Sequence, residues 1–350
     1  MNQSTVDLYD KSGMRELLAA FPLQAREAVA IAKRSAVPID SRGIDNVVVT
    51  GLGGSAIAGD LLRSYLAAEL RVPFIVNRNY VLPEFVGPGS LVIVSSYSGD
   101  TEETVSAHLD ARKRKARVLC ISTNGETARL ARKFRQTVIS IPKRLPPRAA
   151  LGYSFFPMLI ALVKMKFVRA REKDLRETLA LLERSSRRFN SLEPKRNPAL
   201  QIAQKLYGKL PVIYSAADRL DAVGVRWRGQ LAENAKVLAF GNVLPEMNHN
   251  ELVGWRVLRR QMNEMAVIFL RDRQDHKRVG MRIDITKSVV SEYASSITEI
   301  TSEGNSLLAR LFYLVHLGDW VSFYLAMLNG MDPTPVKIID YLKWELGKAR

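Results

Sequence analysis

Short apolar runs at Val47 to Thr50, Phe74 to Asn77, Leu91 to Ser95, Val118 to Ser122 and Val138 to Ile141 alternate with amphipathic stretches at Ala56 to Ala68 and Thr101 to Lys115. Runs this short and apolar read as strands buried on both faces, and the stretches between them carry a helical period. Alternation of the two predicts a parallel sheet with helices on both sides, which binds ligands at the carboxyl ends of its strands. Residues 1 to 45 read as helical and pack outside this sheet.

Two of these strand ends are chemically distinctive. The first breaks into Gly51-Leu52-Gly53-Gly54-Ser55, and the third runs into Ser95-Ser96-Tyr97-Ser98-Gly99-Asp100-Thr101. A glycine-rich turn that opens a helix leaves backbone N–H groups unpaired, and the helix dipole adds partial positive charge there. Such a turn suits a phosphate, with the hydroxyls of Ser96, Ser98 and Thr101 supplementing the backbone. Without a P-loop lysine, a sugar phosphate fits better than a nucleotide. The dinucleotide register fails, because Gly51 and Gly53 are followed by Ala56, and the strand ending at Asn77 lacks the acidic residue that holds an adenosine ribose. Taken singly, each turn is also compatible with a purely structural role.

After Pro142 to Pro147, Leu151 to Met165 and Glu172 to Arg188 read as two helices, and the strand pattern then restarts. Val212 to Ser215, Val237 to Phe240, Val267 to Leu270, Met281 to Ile285 and Thr298 to Thr301 are the expected strands, with helices at Leu220 to Glu233 and Ser306 to Leu328. The expected fold is therefore α/β: two doubly wound parallel-sheet units in tandem. They occupy residues 1–165 and 190–350, joined by a helical segment at 166–189. The restart suggests a duplication, although the second unit has Ser215-Ala216-Ala217-Asp218 in place of a Gly-Gly-Ser turn.

Composition bounds the rest. At 350 residues with 47% hydrophobic and 25% charged residues, the chain can bury a sizeable core. The longest apolar stretch read from the sequence, Ala149 to Val163, is too short to cross a bilayer, and Met1 to Asp10 does not resemble a secretory signal. The single cysteine, Cys120, excludes an internal disulfide, fits a reducing cytoplasm, and sits in an apolar run as a packing residue. A net charge of +17 raises nucleic acid as a partner. The basic residues are spread along the chain, however, and no zinc-finger spacing or helix-turn-helix accompanies them. A basic surface would steer an anionic substrate inward, and a lineage-wide bias in composition explains the charge equally well.

Of the four histidines, His249 stands apart, in the polar loop Pro245-Glu246-Met247-Asn248-His249-Asn250-Glu251. Imidazole can donate and accept a proton near neutral pH. Upstream, Glu233 has small and apolar neighbours in Gly229-Gln230-Leu231-Ala232-Glu233-Asn234-Ala235, a setting for a general base. The plain alternative makes Glu233 a helix-end residue and His249 an ordinary loop residue. No two histidines fall at metal-ligand spacing, so no metal site is expected.

Several motifs together carry a family resemblance over nearly the whole chain: Gly53-Gly54-Ser55, the stretch Ser96 to Thr101, Pro147-Arg148-Ala149-Ala150-Leu151-Gly152-Tyr153, Glu233-Asn234-Ala235-Lys236, Asn248-His249-Asn250-Glu251 and Asp332-Pro333-Thr334-Pro335-Val336. The chain resembles the bifunctional phosphoglucose/phosphomannose isomerases, which are built from two sugar-isomerase domains. The resemblance implies that Gly54, Ser55, Ser96, Ser98 and Thr101 hold the substrate's phosphate, that Glu233 moves a proton between C1 and C2, that His249 assists ring opening, and that Arg148 stabilises an enediolate. It also implies a threonine that admits both C2 epimers, carried over to Thr334, and a lysine that shares in ring opening, carried over to Lys343 with Lys337 as the alternative. In the family the histidine comes from the neighbouring subunit, which implies a homodimer with its active site at the interface. A phosphorylated hexose is the implied substrate, with no cofactor, no specific nucleic acid and no membrane. Isomerisation of another phosphosugar and non-catalytic sugar-phosphate binding are the competing expectations.

Overall fold

The structure is a computed structural model that describes residues 1–348; residues 349 and 350, at the end of the second unit's expected range, lie outside the described residues. Two wholly parallel sheets are present. The first contains β1 (Asn46–Thr50), β2 (Phe74–Asn77), β3 (Ser90–Ser96), β4 (Arg117–Ser122) and β5 (Thr137–Ser140), in the order β2-β1-β3-β4-β5. The second contains β6 (Leu210–Ala216), β7 (Phe240–Leu244), β8 (Met265–Arg271) and β9 (Ser296–Thr301), in the order β7-β6-β8-β9. Both sheets are wound the same way: the second strand lies on one side of the first, and the third and fourth lie on the other. This is the expected doubly wound α/β architecture.

Alternation along the strands sorts side chains between two faces. Val47 and Val49 of β1 join a large apolar cluster that also takes Ile213 and Ile268 from the second sheet, whereas Val48 joins a separate cluster on the outer face. The large cluster is filled from between the sheets by Phe21–Arg34, Leu151–Lys164, Glu172–Phe189 and Leu307–Leu328. Leu307–Leu328 is long and apolar enough to cross a membrane by length and composition, yet its apolar stretch is 94% buried inside the protein. Polar groups that would be stranded in lipid are paired here, as Asp319 is by Arg226. The helix is the central strut of the core. Cys120 is buried on β4, where burial pushes its thiol up to about 12.

Two strand expectations are corrected. Met281 to Ile285 lies inside the helix Lys277–Ser291. Its apolar alternation mimics a strand, but the buried positions are Ile283, Thr286 and Val290, a helical spacing, and Met281 and Ile285 are exposed. His276 caps this helix, its Nδ1 accepting from the Arg278 N–H at 3.2 Å. The expected strand at Val237 to Phe240 begins only at Phe240. Lys236 ends the preceding helix in the left-handed conformation, and residues 237 to 239 carry the chain across to the sheet. Because β7 is an edge strand with Phe240 exposed, its own residues look less apolar than those that lead into it.

At the end of β8, Asp272 forms a fully buried ion pair with Arg310 of the central helix, at 2.6 Å, and accepts from the Ser302 hydroxyl at 2.7 Å. Burial opposes ionisation, but these hydrogen bonds win and hold the carboxyl below its ordinary range. Arg310→Met strands that carboxylate and is expected to cost about 3–5 kcal/mol in denaturant unfolding. Because the folded-state pKa is lowered, the pair's contribution is complete above about pH 4 and disappears as pH falls through the folded value. A flat acid limb, or a loss below 1 kcal/mol, would contradict this.

Candidate active site

β1 and β3 are neighbours, and the chain leaves them on opposite sides, so the crevice at their carboxyl ends is the topological switch point of the first sheet. Helices Gly53–Leu66 and Glu102–Lys113 start there, directing two sets of free N–H groups at one place. Ser55 and Ser96 are buried at the crevice. Ser96 Oγ accepts from the Gly99 N–H at 3.1 Å and lies 3.4 Å from Thr101 Oγ1, which is in turn 3.5 Å from Ser98 Oγ. The structure therefore brings together the hydroxyls that the sequence singled out.

Glycine geometry fixes this cradle in two places. Gly99 has φ +85°, and a Cβ there would lie 1.8 Å from the carbonyl oxygen of Asn124. Gly54 lies against the turn Pro147–Ala149, so that a Cβ would come within 2.9 Å of the Pro147 carbonyl oxygen. That second contact seats Arg148 beside the glycine turn.

Arg148 is 5% exposed, and two of its three nitrogens are committed. Nε donates to Asn234 Oδ1 at 2.7 Å, and Nη2 donates to the carbonyls of Pro333 at 2.7 Å and Thr334 at 2.6 Å. Nη1 faces Glu233 Oε2 at 3.7 Å. Burial pulls the guanidinium's pKa down and the Glu233 charge pushes back, but an arginine stays protonated. Asn234 is held by the Ser322 hydroxyl, and the Arg148 carbonyl accepts from Arg226 at 2.7 Å. Glu233 keeps a third of its side chain exposed at the open side. Thr334 Oγ1 is buried without a partner. Arg148, Glu233 and Thr334 thus meet next to Gly54, although they come from three distant parts of the chain.

His249, Lys343 and Lys337 are not part of this cluster. The helix Asp221–Ala235 returns antiparallel to β6, so Glu233 lies at the amino ends of the second sheet's strands, about 20 Å along a fifteen-residue helix from their carboxyl ends. His249 follows the carboxyl end of β7, exposed in Glu246–His249. Within one chain the two residues sit at opposite ends of the sheet. Lys343 and Lys337 lie on Lys337–Lys348, a helix with no buried residue and with Ile338, Tyr341, Leu342 and Trp344 all more than half exposed. The other histidines have structural places: His108 bonds Gln136 at 2.7 Å, and burial holds His316 down to about 3. Among the described residues no group of three His, Cys, Asp or Glu side chains could hold a metal ion.

The sequence placed Lys236 in the motif that begins at Glu233 without giving it a role; it sits between Glu233 and the segment Pro333–Pro335. Its one signal was position: a lysine three residues after the candidate base, where a helix terminator is expected.

Gly99→Ala should weaken sugar-phosphate affinity by at least about tenfold, some 1.4 kcal/mol, in a calorimetric titration, because the loop must leave the Asn124 turn. Unchanged affinity would remove this loop from the phosphate site.

Residues 42–163 match the SIS domain family model, and residues 195–346 match the model of the bacterial phospho-glucose isomerase C-terminal SIS domain. A bifunctional phosphoglucose/phosphomannose isomerase of Caldicellulosiruptor bescii is 44% identical over 96% of this chain and all of its own length, and one of Aquifex aeolicus is 38% identical over 86% of this chain and 90% of its own. Among solved structures, a hypothetical protein of Thermus thermophilus superposes with a TM-score of 0.76 at 14% identity, covering 99% of this chain and 93% of its own. A glucose-6-phosphate isomerase like protein from the same organism gives 0.64 at 20% identity, covering 95% and 96%. These two share the fold. With the relatives aligned over almost their whole length, the chain belongs to the bifunctional phosphoglucose/phosphomannose isomerase family.

Proposed function

We propose that this protein interconverts glucose 6-phosphate and mannose 6-phosphate with fructose 6-phosphate through a cis-enediolate. The observation that carries this reading is the meeting of Glu233 with the free Nη1 of Arg148, beside a cradle of helix N-termini and hydroxyls. In this reading residues 1–165 and 190–350 are the two sugar-isomerase units, with 166–189 connecting them.

The phosphate enters the crevice at Gly54, Ser55, Ser96, Ser98 and Thr101, which fixes one end of the open-chain sugar and points C1 and C2 toward Glu233. Glu233 takes the proton from C2 of an aldose and returns it to C1, a transfer by one base that supplies about 10²–10⁴ in rate. As the proton leaves, negative charge grows on the carbonyl oxygen. Arg148 Nη1 is the donor left for it, and its orientation is already fixed, so little reorganisation opposes the step. Protonation at C2 on either face of the planar enediolate gives the glucose or the mannose configuration. Rotation about C2–C3 decides between them, and Thr334, held beside Arg148, is the residue proposed to influence it. The reaction shifts a proton and a carbonyl within one molecule, so it needs no electron acceptor.

His249 is the proposed acid–base group for ring opening. Since it and Glu233 lie at opposite ends of one sheet, a site with both requires two chains, which supports a homodimer with its active site at the interface. Lys343 or Lys337 would join that site only in the dimer as well, where a partner covers their exposed helix. A reducing cytoplasm fits the single buried thiol.

Glu233→Gln should lower kcat by about 10²–10⁴ on both aldose phosphates with fructose 6-phosphate affinity nearly unchanged. Ser96→Ala should raise KM with a smaller effect on kcat. Activity retained in Glu233→Gln would misplace the base. Mixing and re-annealing the inactive Glu233→Gln and His249→Ala proteins tests the dimer: half the dimers then contain one complete site, restoring about a quarter of full activity. No restoration would place His249 and Glu233 of one chain in the same site, or His249 outside it.

A further inference from the structure

We propose that Lys236 is a positioning residue: it clamps the segment Pro333–Pro335 onto the end of the helix that carries Glu233, and so sets where Thr334 and Arg148 stand. This rests on the reading above of those two residues as parts of the substrate site.

Lys236 occupies the first position past the helix Asp221–Ala235 with φ +59°, a left-handed conformation that costs an ordinary side chain and favours glycine. Lys115, Arg135 and Lys166 take the same conformation just past other helix ends, so what sets Lys236 apart is where its ammonium reaches. Its ammonium has three N–H donors. All three are committed to carbonyls: that of Glu233, that of Pro333 at 3.2 Å and that of Pro335 at 2.7 Å. No donor is left for a substrate, so Lys236 acts through what it holds. Pro333 and Thr334 offer their carbonyls to Arg148 Nη2, so between them the two cations bond three successive carbonyls and share that of Pro333. Beyond this grip, Pro333 is buried and the Ser12 hydroxyl donates to Asp332 at 2.9 Å. Asp332 accepts from the Thr334 N–H at 2.9 Å, and the helix that follows has no buried residue. Without Lys236, Arg148 loses the fixed pair of carbonyls that orients its Nη1, and Thr334 loses the position of its hydroxyl.

The test compares Lys236→Gly, Lys236→Met and Lys236→Arg with the parent protein. Glycine relieves the left-handed strain while removing the donors, so Lys236→Gly keeps the fold even if Lys236→Met does not. Hydrogen–deuterium exchange of amides 332–348 is expected to rise at least about tenfold in Lys236→Gly. Its kcat is expected to fall about 10- to 100-fold, with the ratio of mannose to glucose turnover shifted and the KM for fructose 6-phosphate changed less than threefold, since the phosphate cradle is untouched. Lys236→Arg, which restores a cation with several donors, should recover part of both signals. Unchanged exchange at 332–348 in Lys236→Gly, or faster exchange with an unchanged kcat and mannose-to-glucose ratio, would overturn the proposal. If the parent protein proved inactive on phosphohexoses, the functional reading would fall, and the exchange measurement would still decide whether the clamp exists.

Discussion

Arg148 is hydrogen-bonded at two of its nitrogens and faces Glu233 with the third, and the candidate site is organised around that asymmetry. A buried guanidinium is tolerated only where its donors are satisfied. Here the partners come from a helix after β6 and from the C-terminal segment, while the arginine itself belongs to the turn between the sheets. Satisfying one buried cation therefore draws three remote parts of the chain together. The network continues inward: Arg226 bonds the Arg148 carbonyl and pairs with Asp319, and Asn234 reaches Ser322 on the same central helix. The geometry of the candidate site is thus tied to the deeply buried central helix, the kind of rigid support that preorganised electrostatics requires.

Much of this was legible in the sequence, for physical reasons that differ by residue. Strands buried on both faces must be short and apolar, so β1, β3, β4 and β8 announced themselves. The hydroxyl loops were legible because a parallel sheet leaves only one end for ligands and glycine marks where backbone must approach closely. Glu233 and Arg148 emerged from motif and setting. Met281 to Ile285 failed because three apolar residues spaced by two suit a strand, and only the burial of Ile283, Thr286 and Val290 reveals the helix. The edge strand β7 failed because an edge is not buried on both faces and does not carry the same signal. The separation of His249 from Glu233 follows from helix direction and length, whereas the resemblance implied only that the histidine comes from a neighbouring subunit. Lys236 stood in a motif, but its contacts were not legible because its partners are three carbonyls that any residue type supplies.

The charge has a similar division. The buried arginines Arg148, Arg226 and Arg310 are each matched by carboxylates or carbonyls, so the surplus of positive charge is a surface property. A basic surface raises the encounter rate of an anionic sugar phosphate without entering the chemistry, and salt would screen it. Within the candidate site, helix N-termini and hydroxyls are the groups proposed to meet the anion.

The central claim is that one base moves a solvent-exchangeable proton at C2 of both epimers. Incubating the protein with fructose 6-phosphate in D2O and following the products by proton NMR tests it directly. The account predicts that glucose 6-phosphate and mannose 6-phosphate both form and both carry deuterium at C2, and that prolonged incubation completes the labelling. Formation of the aldoses with hydrogen kept at C2 throughout would indicate hydride transfer and contradict a carboxylate base; formation of neither would contradict the assignment of substrate.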